Sequence, residues 1–105
     1  MKLIVTIVNK DDSPLLVKKL TQGGFSSTAL SSTGGFLKAE NSTILVGVDE
    51  EKVHEVLTLI RSCCHSRTET IPAATEPPYY PAFPMDIVVG GATIFVVDVD
   101  RFERI

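Results

Sequence analysis

The chain has 105 residues, of which 44% are hydrophobic, so residues 1–105 are predicted to form one globular domain with a single core. Its net charge of −3, with 10 Lys and Arg in no basic run, argues against a nucleic-acid-binding protein. The apolar segment after Met1 is too short for a signal peptide or a membrane span. We therefore expect a cytoplasmic protein without membrane contact.

The first segment predicts a strand followed by a short helix. Residues 2–8 carry apolar side chains at both odd and even positions, which is typical of a central strand covered on both faces. Ser13 is predicted to cap the helix and Pro14 to occupy its first position. Gly23-Gly24 then ends the helix.

Two β-prone segments follow, at residues 28–33 and 43–48. In the second, Ile44, Val46 and Val48 alternate with other residues, as in a strand with one buried face. Their connection contains Gly34-Gly35 followed by Phe36 and Leu37. A loop of this kind, rich in hydroxyls and glycine, can bind phosphates through backbone N–H groups and stack a base on an aromatic ring. Alternatively, it is an ordinary hairpin in which Phe36 packs on its own sheet.

The second half predicts a helix, a long loop and a final pair of strands. Acidic residues 49–51 precede an amphipathic pattern that continues to about Cys64. Residues 66–84, which contain five of the six prolines, are predicted to be one irregular Pro-rich loop. Residues 86–89 and 92–99 are predicted strands on either side of Gly90-Gly91.

This β-α-β-β-α-β order predicts an α+β, ferredoxin-like fold, with a four-stranded antiparallel sheet and two helices on one face. The strands offer apolar residues to the other face as well. Because exposed apolar surface marks sites of association, we expect a homotrimer that buries this face.

The residues indicate no catalytic site, cofactor or metal site. Neither the G-x-G-x-x-G nor the G-x-x-x-x-G-K-S/T motif occurs, and no histidine is positioned by the sequence as a base for the many Ser and Thr residues. Cys63 and Cys64 are adjacent, which disfavours a disulfide and indicates a reducing compartment. With His65 they lack the four correctly spaced ligands of a structural zinc site.

Three segments, MKLIVTIV, TALSSTGGFLKAENSTILVGV and GGATIFVVDVDRF, closely resemble the PII-like cyclic-di-AMP receptor family. The similarity covers nearly the whole chain except the Pro-rich loop, and STGGFLKAENST is a specific motif. It implies a bacterial signal-transduction receptor: a PII-like homotrimer that binds cyclic di-AMP in pockets between subunits and has no catalytic activity.

The resemblance also implies ligand contacts. These fall on Thr28, Phe36, Leu37, Asn41, Gly47 and Phe95, with a backbone contact from Ser27. The chain departs from the family pattern at Gly24, where an Asn is usual, and at Ser26, where an Arg is usual. Arg104 stands where a Gln is usual, and it could replace part of the charge missing at Ser26. The Pro-rich loop is shorter than usual and lacks a Met-Gly-Gly stretch.

Two other functions remain open at this point. The trimer could be a scaffold that binds another nucleotide or a protein partner through the Pro-rich loop. An ATP-binding PII protein fits less well, because residues 34–40 are too short for the long loop that such proteins carry between their second and third strands.

Overall fold

The computed structural model describes residues 1–31, 41–71 and 85–105, which form two antiparallel sheets and two helices. A 3₁₀ turn at Glu50–Lys52 leads into the second helix. The elements in chain order are β1 Lys2–Asn9, α1 Ser13–Gln22, β2 Ser27–Ser31, β3 Asn41–Val48, α2 Val53–Cys63, β4 Ser66–Ile71, β5 Met85–Gly90 and β6 Ala92–Asp98.

The main sheet has four strands in the order β2-β3-β1-β6, and every neighbouring pair is antiparallel. The first and third strands lie at its centre, while the second and the last lie at its edges. With the two helices, this is the α+β, ferredoxin-like arrangement predicted from the order of elements, and that prediction is confirmed.

Both helices pack on one face of this sheet. Alternate residues of the two central strands are buried, because side chains of a strand point to opposite faces in turn. The 3–4 spacing of apolar residues gives each helix a matching stripe. Together they form the core, in which the fully buried side chains include Ile4, Val8, Ile44 and Val46 from the strands and Leu16, Leu20, Val56 and Ile60 from the helices.

The start of α1 differs from the prediction. The N-cap position is Asp12, and Ser13 is the first helical residue, with Pro14 one position further in. No side chain caps the helix, because the carboxylate of Asp12 is instead bound to Arg67. The predicted end is confirmed: α1 stops before Gly23-Gly24, and Gly24 has a φ of +85°.

The prediction that residues 66–84 form one irregular loop is wrong for its first part. Ser66–Ile71 is strand β4, which pairs with β5 as a separate two-stranded sheet. The prolines begin only at Pro72, so this segment has all its backbone N–H donors and can form a ladder. Residues 72–84, with all the prolines of the predicted loop, lie outside the described residues.

Candidate ligand-binding face

The side of the main sheet opposite the helices carries a mixed apolar and polar surface, which we call the helix-free face. Its members alternate with the core residues on each strand. Three of its large side chains are markedly exposed, namely Phe95 at 53%, Leu30 at 48% and Val97 at 44%. In register across the sheet, the face comprises Leu3, Val5, Ile7 and Asn9 of β1, Thr28 and Leu30 of β2, Asn41, Thr43, Leu45 and Gly47 of β3, and Thr93, Phe95 and Val97 of β6.

Four residues predicted to contact a ligand lie on this face: Thr28, Asn41, Gly47 and Phe95. One cross-strand row runs from Thr28 through Leu45 and Val5 to Phe95, and so crosses the sheet from one edge to the other. Gly47 is the diagonal neighbour of Thr28, at about 7–8 Å. Thr28 and Gly47 therefore form one group at the β2 edge.

Phe95 and Asn41 lie away from that group. Two strands separate Thr28 from Phe95, and at about 4.8 Å per strand this is a distance of roughly 14 Å. Asn41 and Gly47 are near opposite ends of β3, roughly 20 Å apart at the usual rise of a strand. The register thus brings the predicted residues onto one face but not into one small pocket.

The remaining predicted residues are placed differently. Ser26 is exposed and directly precedes β2, while Ser27 is partly buried and opposite Val46, on the helix side of the sheet. The predicted backbone contact of Ser27 with the ligand stays a prediction. Arg104 is exposed in the segment after β6. Phe36 and Leu37 lie outside the described residues.

A cleft of about 340 Å³ opens where β1, β3 and β6 meet the base of the β4–β5 hairpin. Its lining includes the predicted residue Asn41 and also Asn9, which is the cross-strand partner of Asn41. Gly90 and Gly91 form another part of the wall. Asn9 is not among the residues predicted from the sequence, and its place opposite Asn41 is seen only in the strand register.

The hairpin base is held to the body of the protein by an ion pair. Arg67 of β4 donates from both terminal nitrogens to Asp12, with Nη2–Oδ1 and Nη1–Oδ2 distances of 3.2 and 3.4 Å. The Asp12 side chain is only 10% exposed. Such a two-point contact fixes the direction of β4 relative to the start of α1. Gly90 and Gly91, with φ of +80° and +83°, then turn the chain from the hairpin back into β6.

Three titratable groups in the described part of the chain, at two places, have pKa values shifted from their usual range. Burial raises the pKa of Cys64 to about 11, with a smaller contribution from the negative charge of Asp12. At the other end of the sheet, a hydrogen bond from Lys2 lowers the pKa of Asp98, and the same bond raises the pKa of Lys2. Both partners of this pair are at the surface. Neither perturbation lies on the residues predicted to bind a ligand.

The thiols of Cys63 and Cys64 are free and buried. Within residues 1–31, 41–71 and 85–105, no three His, Cys, Asp or Glu side chains are grouped so as to hold a metal ion. The helices of this part of the chain are all too short or too polar to span a membrane. The chemistry that the site offers is that of amides, hydroxyls, backbone groups and an aromatic ring.

These features define a ferredoxin-like α+β protein whose helix-free face and adjoining cleft carry groups suited to binding. A solved structure of this kind, a protein of unknown function from Pediococcus pentosaceus, is similar with a TM-score of 0.77. It is 38% identical, and the similarity covers 99% of this chain and 96% of that chain.

Comparison with protein families matches residues 1–105 to the cyclic-di-AMP receptor family. The match covers the whole chain, and the chain belongs to this family. The resemblance drawn from the three sequence segments is therefore confirmed, and with it the general role of a receptor for cyclic di-AMP.

Proposed function

We propose that the protein is a cytoplasmic signal-transduction receptor that binds cyclic di-AMP in pockets between the subunits of a homotrimer and catalyses no reaction. The observation that carries this proposal is the spread of Thr28, Gly47 and Phe95 over one face. Thr28 and Gly47 lie at the β2 edge, and Phe95 lies on the opposite edge strand. A pocket that uses all three is most readily completed by the β6 edge of a second copy.

The exposed apolar groups of the helix-free face support the association. Phe95, Leu30 and Val97 form part of a surface that one subunit leaves open to solvent. Surfaces of this kind are typical of association sites. A cyclic trimer would bring the two different edges of neighbouring subunits together, because a heterologous interface pairs one patch with another and closes into a ring.

In this arrangement Thr28 and Asn41 would make polar contacts with the ligand, while the aromatic ring of Phe95 would contact an adenine. Phe36 and Leu37, predicted from the family motif, would flank the same or the second base. Such a site binds by hydrogen bonds and stacking and contains no activated nucleophile.

The departures from the family pattern bear on affinity. Ser26 carries no charge where relatives have a guanidinium, so one attraction to the ligand phosphates would be missing. Arg104 is exposed and lies in the segment that follows β6, the strand of Phe95. We propose that it supplies part of the missing charge across the subunit boundary.

Assembly and ligand choice are tested first on the wild-type protein. We expect light scattering to return a trimer, and calorimetric titration to show binding of cyclic di-AMP in preference to ATP and cyclic di-GMP. A monomer at micromolar concentration would rule out the pocket between subunits.

Mixed trimers test the shared pocket directly. Thr28→Ala and Phe95→Ala should each abolish or strongly weaken binding when alone. If the pocket takes Thr28 from one subunit and Phe95 from the next, co-refolded mixtures regain intact pockets at roughly one interface in four by random assortment. If the mixture does not bind cyclic di-AMP, each subunit binds with its own residues. Co-refolded wild type is the control for the procedure.

A scaffold that binds a protein partner is the second candidate, and the β4–β5 hairpin favours it. Val88 is 75% exposed, and the hairpin is a two-stranded sheet with unpaired edges in the described part of the chain. Strand edges of this kind can pair with an extended peptide. A trimer that binds none of the three nucleotides would favour this function.

A further inference from the structure

The cleft beside Asn41 contains a second amide that the predicted site does not include. Asn9 ends β1 and lies directly opposite Asn41 in the β1–β3 register, on the same helix-free face. Both residues line the cleft. Side chains of directly opposed residues have Cβ atoms about 4.5–5.5 Å apart, so one planar ligand group can contact both amides.

A local hydrogen bond fixes how Asn9 presents its amide. The backbone N–H of Asp11 donates to Asn9 Oδ1 at 2.8 Å, and the backbone N–H of Asp12 donates to the Asn9 carbonyl oxygen at 3.0 Å. The side-chain oxygen is therefore engaged in the turn that follows β1. Since an amide has one oxygen and one NH₂ group, the NH₂ donors are the part of Asn9 that would meet a ligand.

The lining of the cleft indicates which part of a nucleotide belongs there. Among the described residues, the rest of the lining consists of apolar residues, Thr93 and the backbone of Gly90 and Gly91, and none of these residues carries a charged side chain. A phosphate placed there would meet no compensating cation in the described part of the lining. A neutral base edge suits the cleft better, since Asn side chains pair with the ring-nitrogen and amino edge of adenine.

We propose that Asn9 is a ligand-binding residue that donates from its NH₂ group to a ring nitrogen of an adenine held beside Asn41. This inference rests on the proposed cyclic di-AMP receptor function and adds a specificity-determining residue to it. Asn9 would favour a base that presents an unprotonated acceptor at that position.

The test is calorimetric titration of the full-length protein with cyclic di-AMP at about 50 mM and 500 mM salt. Asn9→Asp keeps the oxygen that accepts from Asp11 but replaces the donor with a second oxygen. Asn9→Ser is uncharged, retains a short acceptor for the turn and cannot reach the base. We expect Asn9→Asp to weaken binding by about tenfold or more and Asn9→Ser by about fivefold. Thermal unfolding of both should match wild type within about 2 °C.

Salt separates a base contact from charge effects, because the Debye length falls from more than 10 Å to a few ångström over this range. Losses that persist at high salt support the contact with a neutral base. The base contact would be overturned if the Asn9→Asp protein regained wild-type affinity at high salt. It would also be overturned if the Asn9→Ser protein bound more weakly than wild type only at low salt. The proposal for Asn9 would also be overturned if both variants bound cyclic di-AMP as tightly as the wild type. That result would leave the receptor function intact. Absence of cyclic di-AMP binding by wild type would instead overturn both proposals.

Discussion

Substituting alanine for Gly90 should destabilise the protein through a steric conflict that can be separated from backbone strain. Gly90 has a φ of +80°, and a Cβ there would lie 2.5 Å from Arg67 Nη1 and 2.7 Å from the carbonyl oxygen of His65. The guanidinium can move, although at the cost of its contact with Asp12. The carbonyl belongs to the backbone, so the start of the β4–β5 hairpin must shift.

Two other glycines provide matched controls. Gly24 and Gly91 have φ of +85° and +83°, so alanine at either meets the same backbone strain. A Cβ at Gly24 has no neighbour within 4 Å among the described atoms, and one at Gly91 meets Ser66 Cβ at an ordinary 3.5 Å. The left-handed conformation costs a non-glycine residue about 1–2 kcal/mol. The conflict at Gly90 adds about 1–3 kcal/mol, typical of overpacking.

We therefore expect Gly24→Ala and Gly91→Ala to lower the free energy of unfolding by about 1 kcal/mol, and Gly90→Ala by about 3 kcal/mol. Denaturant unfolding measures the difference, at one fixed protein concentration because association shifts apparent stability. Equal losses for all three variants would refute the argument, since they would show that the hairpin base absorbs the added methyl group without cost.

Further predictions concern the core, a thiol and the ligand. Thr6 Oγ1 is buried without a hydrogen-bond partner among the described residues, so Thr6→Val should raise the free energy of unfolding by about 1 kcal/mol. The raised pKa of Cys64 contributes stability that is complete below about pH 9. This contribution should fall by on the order of 2 kcal/mol as pH rises toward 11, whereas Cys64→Ala should lack this loss. Asn41→Ala should weaken cyclic di-AMP binding by about 1–3 kcal/mol in calorimetry. Ser26→Arg should tighten it by about tenfold, most at low salt, and Arg104→Ala should weaken wild type more than the Ser26→Arg variant.

Each of these has a result that contradicts it. A less stable Thr6→Val protein would mean that the hydroxyl is satisfied in the folded state. Parallel pH profiles for wild type and Cys64→Ala would remove the thiol from the pH dependence. An Asn41→Ala protein that unfolds early but binds normally would make Asn41 a turn residue. No change in affinity from either Ser26→Arg or Arg104→Ala would mean that the charge at these positions does not reach the ligand.

The sequence alone was enough to predict the main architecture. The alternation around Ile44 and Val46 indicates a half-buried strand, and the helices follow from glycine stops and 3–4 spacing, because these signals depend on local backbone geometry. The sequence also indicated the family, because the motif STGGFLKAENST is a continuous stretch of the chain and can be compared without knowing the fold. Thr28, Asn41, Gly47 and Phe95 are named as ligand contacts through that resemblance, and these contacts stay predictions.

The hairpin and its anchor required the tertiary structure. Residues 66–71 are mostly polar and have no clear strand pattern. They form β4 because β5, which follows residues 72–84 in the chain, provides the pairing strand. Ser13 is the predicted cap of α1, yet the N-cap position is Asp12, whose carboxylate binds Arg67, a residue distant in sequence. Neither event has a local signal, because each depends on a partner that only folding brings near.

The layout of the site also depended on tertiary structure. Sequence placed Thr28 and Phe95 in the same predicted site, but strand order puts them at opposite edges of the sheet. Register in turn placed Asn9 beside Asn41, a pairing with no mark in the sequence. Periodicity determines which face of a strand a residue occupies, whereas strand order and register determine its neighbours, and those depend on packing of the whole chain.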